Sequence, residues 1–390
     1  MDFSEHEQRD TKLMRRALNL AANTVALASP NPQVGCVISR DGQILGEGAH
    51  LYDNYDHAEI VALKQAASRG LSVQGATAYV TLEPCSHQGR TGPCADALIA
   101  AGLGRVVVAT VDPNPLVSGR GLERIRAAGI EVIVGVLQHE ARNLNEAFAH
   151  FIRTGQPFLT LKAALSADGK LAPAPARRLP DQPHWLTGPA ARNEVQRLRH
   201  ASDAILTGIG TVLADDPLLT DRTQAPRRRP LVRVVLDTHL RLPQTSQLLR
   251  SANRDLLILT SASAPAEKID DLRKDGVEVE IIPDSAGRLS LPAAFAALAE
   301  RKILSVLLEA GPLLNGAFLG QDLVGKAILF HAGITLGEDA VPFAEGIAST
   351  AEFEHSLHHV TRTAFGPDNC VTGYLHDPWL EKLLPVNCAP

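Results

Sequence analysis

At 390 residues the chain is longer than one ordinary hydrophobic core supports, so two domains are expected. Its 45% hydrophobic and 21% charged residues are normal for a soluble globular protein, and no apolar run reaches the roughly 18 residues that span a bilayer. A net charge of −5 argues against a general nucleic-acid or anionic-membrane surface, and five scattered cysteines (36, 85, 94, 370 and 388) argue against a disulfide framework, so a reduced cytoplasmic protein is expected.

Met1 to Arg16 is charged and has no signal-peptide core. Residues 11–28 then place Leu13, Ala17, Leu20, Ala21, Val25 and Ala28 at a helical period, and Ser29-Pro30-Asn31-Pro32 ends that helix. Val34 to Ser39 and Gln43 to Ala49 read as strands joined at the Asp41-Gly42 turn. A helix over Ala58 to Ala67, a strand over Ala76 to Leu82 and a helix over Ala95 to Ala101 follow. Gly104 to Val111 and Ile130 to Val136 read as strands around a helix near Leu122 to Ala128, and Glu140 to Arg153 as one closing helix. This is an α/β layered domain with a mixed sheet, over residues 1–153.

Thr154-Gly155-Gln156-Pro157 marks the boundary to a second α/β domain over residues 154–390. Strands are expected at 158–165, 204–207, 231–236, 256–259, 277–282, 303–308 and 326–331, with a last one at 371–375. Helices are expected at 188–200, 266–274, 292–301 and from Pro312. The Pro- and Arg-rich stretch Pro173 to Pro183 reads as an exposed insertion, and Arg227-Arg228-Arg229 as a solvated loop.

Chemistry concentrates between residues 57 and 94. His57 with Cys85 and Cys94 makes a three-ligand zinc set, one zinc per chain, which leaves a fourth tetrahedral position open as in catalytic sites. Glu59, two residues after His57, is read as the general acid/base that moves protons for a water bound there. His-x-Glu followed by Pro-Cys-x-x-Cys is the pattern of zinc deaminases; here eight residues separate the cysteines. In that polar insert His87 and Arg90 are placed to contact a phosphate or a ring oxygen. Two other readings stay open: a nucleobase or nucleic-acid deaminase with an accessory domain, and a structural zinc module closed by a fourth ligand, for which Cys36 is the candidate.

Four segments together resemble the bifunctional riboflavin-biosynthesis deaminase–reductases. They are Ser29-Pro30-Asn31-Pro32-x-Val34-Gly35, His57-Ala58-Glu59, Thr81 to Cys94 with its Ser86-His87-x-Gly89-Arg90-Thr91 core, and Asp112-Pro113-Asn114-Pro115. The second half is similar to the same family through Lys162-x-Ala164-x-Ser166-x-Asp168-Gly169-Lys170, Trp185-Leu186-Thr187, Arg192, Arg199, Asp203 to Gly208, Thr211 to Arg222, and Glu309-Ala310-Gly311-Pro312 with Leu314 and Phe318.

The resemblance implies a cytidine-deaminase-like first domain and a dihydrofolate-reductase-like second domain that uses NADPH. It implies hydrolytic deamination of a diaminopyrimidinone ribosyl phosphate, then reduction of the ribosyl chain. It assigns the cofactor to Ala164, Trp185, Thr211, Asp215 and the turn Gly311, Pro312, Leu313, Leu314, Asn315, Gly316, Ala317. It assigns substrate to Arg199, Leu219, Arg222 and Glu309 in the second site, and Asn31 to substrate in the first. A homo-oligomer is implied as well. No Gly-x-Gly-x-x-Gly occurs, consistent with a reductase that is not of Rossmann type. Ahead of Trp185 the family often carries a serine; here Asp181-Gln182-Pro183-His184 stands in its place, and Pro183 has no hydroxyl to offer.

Overall fold

The first sheet forms because its strands alternate apolar side chains between two faces that are both covered. In β1 (Gly35–Arg40), Cys36 and Ile38 enter one core while Val37 enters the other. The architecture comes from a computed structural model that describes residues 3–88, 92–115, 117–177 and 185–380. Gly89, Arg90, Thr91, the Asp181–His184 approach and Cys388, all singled out above, lie outside the described residues.

The strands run β2 (Gln43–Ala49), β1, β3 (Thr77–Val80), β4 (Arg105–Val108), β5 (Glu131–Val134) across the sheet. β1 is antiparallel to both neighbours, and β3, β4 and β5 are parallel, the mixed sheet expected. Asp41 and Gly42 both take positive φ in the β1–β2 turn. Helix α1 (Phe3–Ala22) packs Met14 and Ala17 against Val37, Tyr79 and Val107. On the other face α2 (Ala58–Ser68), α3 (Cys94–Ala100) and α4 (Arg120–Ala127) bury Ala62, Leu98 and Ile125. A buried ion pair pins α1 to the sheet: Arg105 donates to both Asp10 oxygens at 2.8 and 2.7 Å, and the Tyr79 hydroxyl donates to Oδ1 at 2.9 Å. Burial would raise the Asp10 pKa, but these donors outweigh it and hold the carboxyl below its ordinary value.

Two helical expectations are corrected. α1 stops at Ala22 rather than near residue 28, because the Thr24 hydroxyl donates to the Ala21 carbonyl at 2.7 Å and Ala26 turns to positive φ. The single helix over 140–153 is two, Gln138–Leu144 and Glu146–Thr154, broken at Asn145. That side chain instead clasps Gln33, accepting from its N–H at 2.7 Å and donating to its carbonyl at 3.0 Å.

The second sheet has nine strands, in the order 278–281, 256–260, 232–236, 204–208, 305–308, 158–165, 326–331, 368–374, 358–365. The first seven are parallel to their neighbours and the last two are antiparallel. Leu206, Val234 and Leu257 face one core, Ile205, Val235 and Ile258 the other. Among the elements not read from the sequence are the helices Ile209–Asp215 and Thr350–His355 and the edge strand His358–Phe365.

The chain divides into two units, Met1–Gly155 and Gln156–Pro378, except that Pro226–Arg228 and the last described residues from Trp379 belong to the first. The arginine run is therefore not a solvated loop. Arg228 donates to the Ser29 carbonyl at 3.1 and 2.8 Å and lies 4.2 Å over the Tyr52 ring, whereas Arg229 donates to the Lys302 carbonyl at 3.0 Å. Unsatisfied carbonyls at turn and helix ends draw these guanidinium groups in. Among the described residues no helix is long and apolar enough to cross a membrane.

Candidate active sites

His57 is the residue before α2 and takes extended backbone angles (φ −75°, ψ 162°), so its ring leaves the helix start while Glu59 sits in the first turn. Cys85 follows the carboxyl end of β3, and Cys94 is the first residue of α3. The His57 Nδ1 lies 3.5 Å from Cys85 Sγ and 3.2 Å from Cys94 Sγ, and the three ligand atoms fall within 4.8 Å of one another. One nitrogen and two sulfurs at this spacing fit zinc, and no other metal-capable group occurs among the described residues. Cys36 is fully buried in β1 but is not one of this group, so the closed, four-ligand reading has no ligand here.

Electrostatics favour deprotonated sulfur. The Cys94 backbone N–H, at the start of α3, donates to Cys85 Sγ at 3.3 Å. Cys85 is the first of the pair to ionise, because the Cys94 thiol donates to it and His57 lies beside it, and Cys94 is pushed up by that same contact and by burial. Burial raises Glu59 to about 7 against the opposing pull of His57, with Glu59 only 3% exposed. A carboxyl poised there accepts and returns a proton near neutrality.

Asn31 reaches this site through a residue that the sequence reading missed. The His50 Nδ1–H donates to the Asp56 carbonyl at 2.9 Å, which leaves Nε2 to accept from Asn31 Nδ2 at 2.9 Å. The His50 ring meets the His57 ring edge-on, centroids 5.3 Å apart. A histidine seven positions before a ligand histidine was the only available signal. His87 is exposed on the loop after Cys85, and its partner in that reading, Arg90, lies outside the described residues.

The second site lies at the carboxyl ends of the adjacent strands 204–208, 305–308 and 158–165, the usual crevice of an open parallel sheet. Strand 204–208 runs directly into the helix Ile209–Asp215, which carries Thr211 and Asp215, and strand 305–308 leads through Glu309 to the helix Pro312–Gly320. A Cβ on Gly311 would lie 3.8 Å from Thr211 Oγ1, so the two proposed cofactor segments face each other. Leu313 is exposed, while Leu314 and Ala317 pack on the core. The Asn315 side chain is fully buried and donates to the Phe343 carbonyl at 3.0 Å, which gives it a packing role. Gly316 has one too: a Cβ there would sit 2.2 Å from the Glu345 carbonyl oxygen.

Glu309 is the hub of the proposed substrate residues. Arg199 donates to its two oxygens at 2.7 and 3.1 Å, and Lys162, to which no role was assigned, donates at 3.4 Å. Burial would raise the Glu309 pKa, but Lys162 and Arg199 together hold it down at about 2. Arg199 also donates to the Thr220 carbonyl at 3.1 Å. Leu219 is buried at positive φ, and Arg222 is exposed. Ala164 lies on strand 158–165, paired with Phe330. Trp185 is 65% exposed with the Arg192 guanidinium 4.2 Å over its ring.

Comparisons with known proteins match both units of the chain. Residues 7–110 match the family described as the cytidine and deoxycytidylate deaminase zinc-binding region, and residues 157–371 match the RibD C-terminal domain. The chain is 42% identical over 381 residues to riboflavin biosynthesis protein RibD of Escherichia coli, covering 93% of this chain and 98% of that protein. It is 39% identical to the Bacillus amyloliquefaciens RibD, covering 93% and 96%. The solved Acinetobacter baumannii RibD superposes with a TM-score of 0.78 at 36% identity, covering 94% of this chain and 99% of that one. A Thermotoga maritima diaminohydroxyphosphoribosylaminopyrimidine deaminase/5-amino-6-(5-phosphoribosylamino)uracil reductase does so with a TM-score of 0.79 at 32% identity, covering 95% and 99%. With a zinc-type deaminase unit and a reductase unit on one chain, matched along nearly its whole length, the protein belongs to the RibD family, the bifunctional deaminase–reductases of riboflavin biosynthesis.

Proposed function

We propose that residues 1–153 hydrolyse the 2-amino group of 2,5-diamino-6-(5-phosphoribosylamino)pyrimidin-4(3H)-one. Residues 154–390 then reduce the ribosyl chain of the product with NADPH, giving 5-amino-6-(5-phosphoribitylamino)uracil. The observation that carries this reading is the juxtaposition of His57, Cys85 and Cys94 beside a buried Glu59, on a chain whose second unit is of the RibD reductase type.

His57, Cys85 and Cys94 hold the metal, and when bound zinc supplies a water acidified to a pKa near 7. Glu59 takes one proton as the C–O bond forms and passes it to the ring nitrogen, then carries the second proton from the new hydroxyl to the amine as the C–N bond breaks and ammonia departs. Asn31, oriented by His50, holds substrate at the rim. In the second unit, Ala164, Trp185, Thr211, Asp215 and the 311–317 turn hold NADPH, which supplies the hydride. Arg199 is committed to Glu309, so it fixes that carboxylate toward the substrate, and the exposed Arg222 is the cation for the phosphate. His87 and Arg90 read the substrate of the first site. A small molecule, not a nucleic acid, is the substrate, and a cytoplasmic homo-oligomer is the setting the family resemblance supports.

A coupled assay reads ammonia release and NADPH absorbance in one cuvette. Glu59→Gln should lower ammonia release by about 10²–10⁴-fold while reduction of pre-deaminated substrate continues. Loss of both activities in a folded, zinc-loaded variant would show that the two steps are not divided in this way.

A further inference from the structure

We propose that Glu83 is a positioning residue for deamination, holding the 110–119 loop and the first turn of α4 beside the metal-ligand segment by accepting from three of their backbone N–H groups. The proposal rests on the deaminase reading above and extends it to a residue with no assigned role.

Glu83 stands two residues before Cys85 and is 4% exposed. Its Oε2 accepts from the N–H of Asp112 at 3.1 Å and of Gly119 at 2.9 Å, and its Oε1 accepts from Gly121 at 2.9 Å. The main chain adds a fourth link, Glu83 N–H to the Thr110 carbonyl at 3.0 Å. β3 and β4 are parallel neighbours, so the segments that leave their carboxyl ends, 81–88 and 109–119, emerge side by side at the edge where open sheets bind ligands. The first turn of α4 approaches so closely that a Cβ on Gly121 would lie 2.0 Å from the Pro84 carbonyl oxygen. The loop's tip is wound on itself: Asn114 N–H donates to Asp112 Oδ1 at 2.8 Å, and the Asn114 carbonyl accepts from Val117 and Ser118 at 2.9 Å each. One buried carboxylate thus sets where Asp112 to Asn114 stand relative to Cys85. The Glu83 side chain is buried and the Gly121 donor with it, and among the described residues no other side chain is seen to accept from these three amides.

Glu83→Gln tests this. The amide keeps the size but offers an N–H₂ where one oxygen accepted, so at least one of the three N–H groups loses its partner. In both zinc-free and zinc-loaded protein, hydrogen exchange at Asp112, Gly119 and Gly121 should quicken by about tenfold or more. Zinc stoichiometry should stay at that of the wild type, KM for deamination should rise about tenfold with kcat within about threefold, and reduction should be unchanged. Glu83→Asp, which keeps the charge on a shorter arm, should fall between wild type and Gln on both exchange and KM, and it substitutes for Gln if that variant does not fold. Loss of zinc from a folded variant would overturn the proposal in favour of simple ligand support. Unchanged KM would also overturn it, whether or not exchange quickens. If wild type itself releases no ammonia, the deaminase reading fails instead, which separates the two.

Discussion

Replacing Arg199 with Met removes the cation that donates to both oxygens of the buried Glu309 and leaves Lys162 as its partner. Glu309 sits at about 2 in the folded protein, against an ordinary glutamate value of about 4.3. A difference of roughly two units, at about 1.36 kcal/mol each, corresponds to ~3 kcal/mol of stability at neutral pH. Because the folded pKa is depressed, that increment is complete above about pH 4.3 and is lost as the pH falls through about 2. With Lys162 at 3.4 Å still offsetting part of the charge, the Arg199→Met variant should be destabilised by about 1–3 kcal/mol at pH 7, or about 2–12 °C in the melting transition of the second unit. The gap between variant and wild type should narrow as the pH approaches 2. Thermal melts from pH 2 to 7, resolved into the transitions of the two units, read both effects. The triple variant Lys162→Met/Arg199→Met/Glu309→Leu should recover most of the loss, since apolar side chains then replace the whole ionic triad. A cost below about 1 kcal/mol at pH 7, or one that does not change with pH, would refute the account of Glu309 as an ionised hub.

Two further outcomes follow from the same geometry. Removing metal with a chelator should stop ammonia release and leave reduction of pre-deaminated substrate intact, with added zinc restoring the first activity; His57, Cys85 and Cys94 all lie in the first unit. Gly316→Ala should push the helix Pro312–Gly320 away from the Glu345 carbonyl, which lies 2.2 Å from where the new Cβ would be, costing about 1–3 kcal/mol by thermal melt and weakening NADPH binding by titration.

What the sequence disclosed, and what it hid, divides along a physical line. The zinc ligands were legible because only five cysteines occur and the chemistry of thiol and imidazole is carried by side chains. The strands 158–165 and 326–331 and the helix 266–274 appeared at the residues expected, since burial on two faces or one writes a clear apolar pattern. The edge strand 358–365 left no such mark: seven of its eight residues are exposed, and it is held by backbone pairing to 368–374. Glu83 was quoted only as part of a motif, because its partners are main-chain N–H groups about thirty residues downstream, and those carry no sequence identity. The break at Asn145 was invisible for a related reason, since its side chain answers to Gln33, more than a hundred residues upstream. His50 and Lys162 acquire roles only when distant strands and loops bring them to His57 and Glu309.

The discontinuous first unit has a consequence for synthesis. Trp379 is buried in the same core as Val80 and Leu98, its indole N–H donates to the Arg142 carbonyl at 3.2 Å, and the Arg142 guanidinium lies 5.2 Å over its ring. On a ribosome, residues 1–155 emerge and begin to fold long before position 379 is translated. The core of the first unit therefore lacks its Trp379 ring until nearly the whole second unit has left the exit tunnel. The first part of the chain to start folding is among the last to be completed.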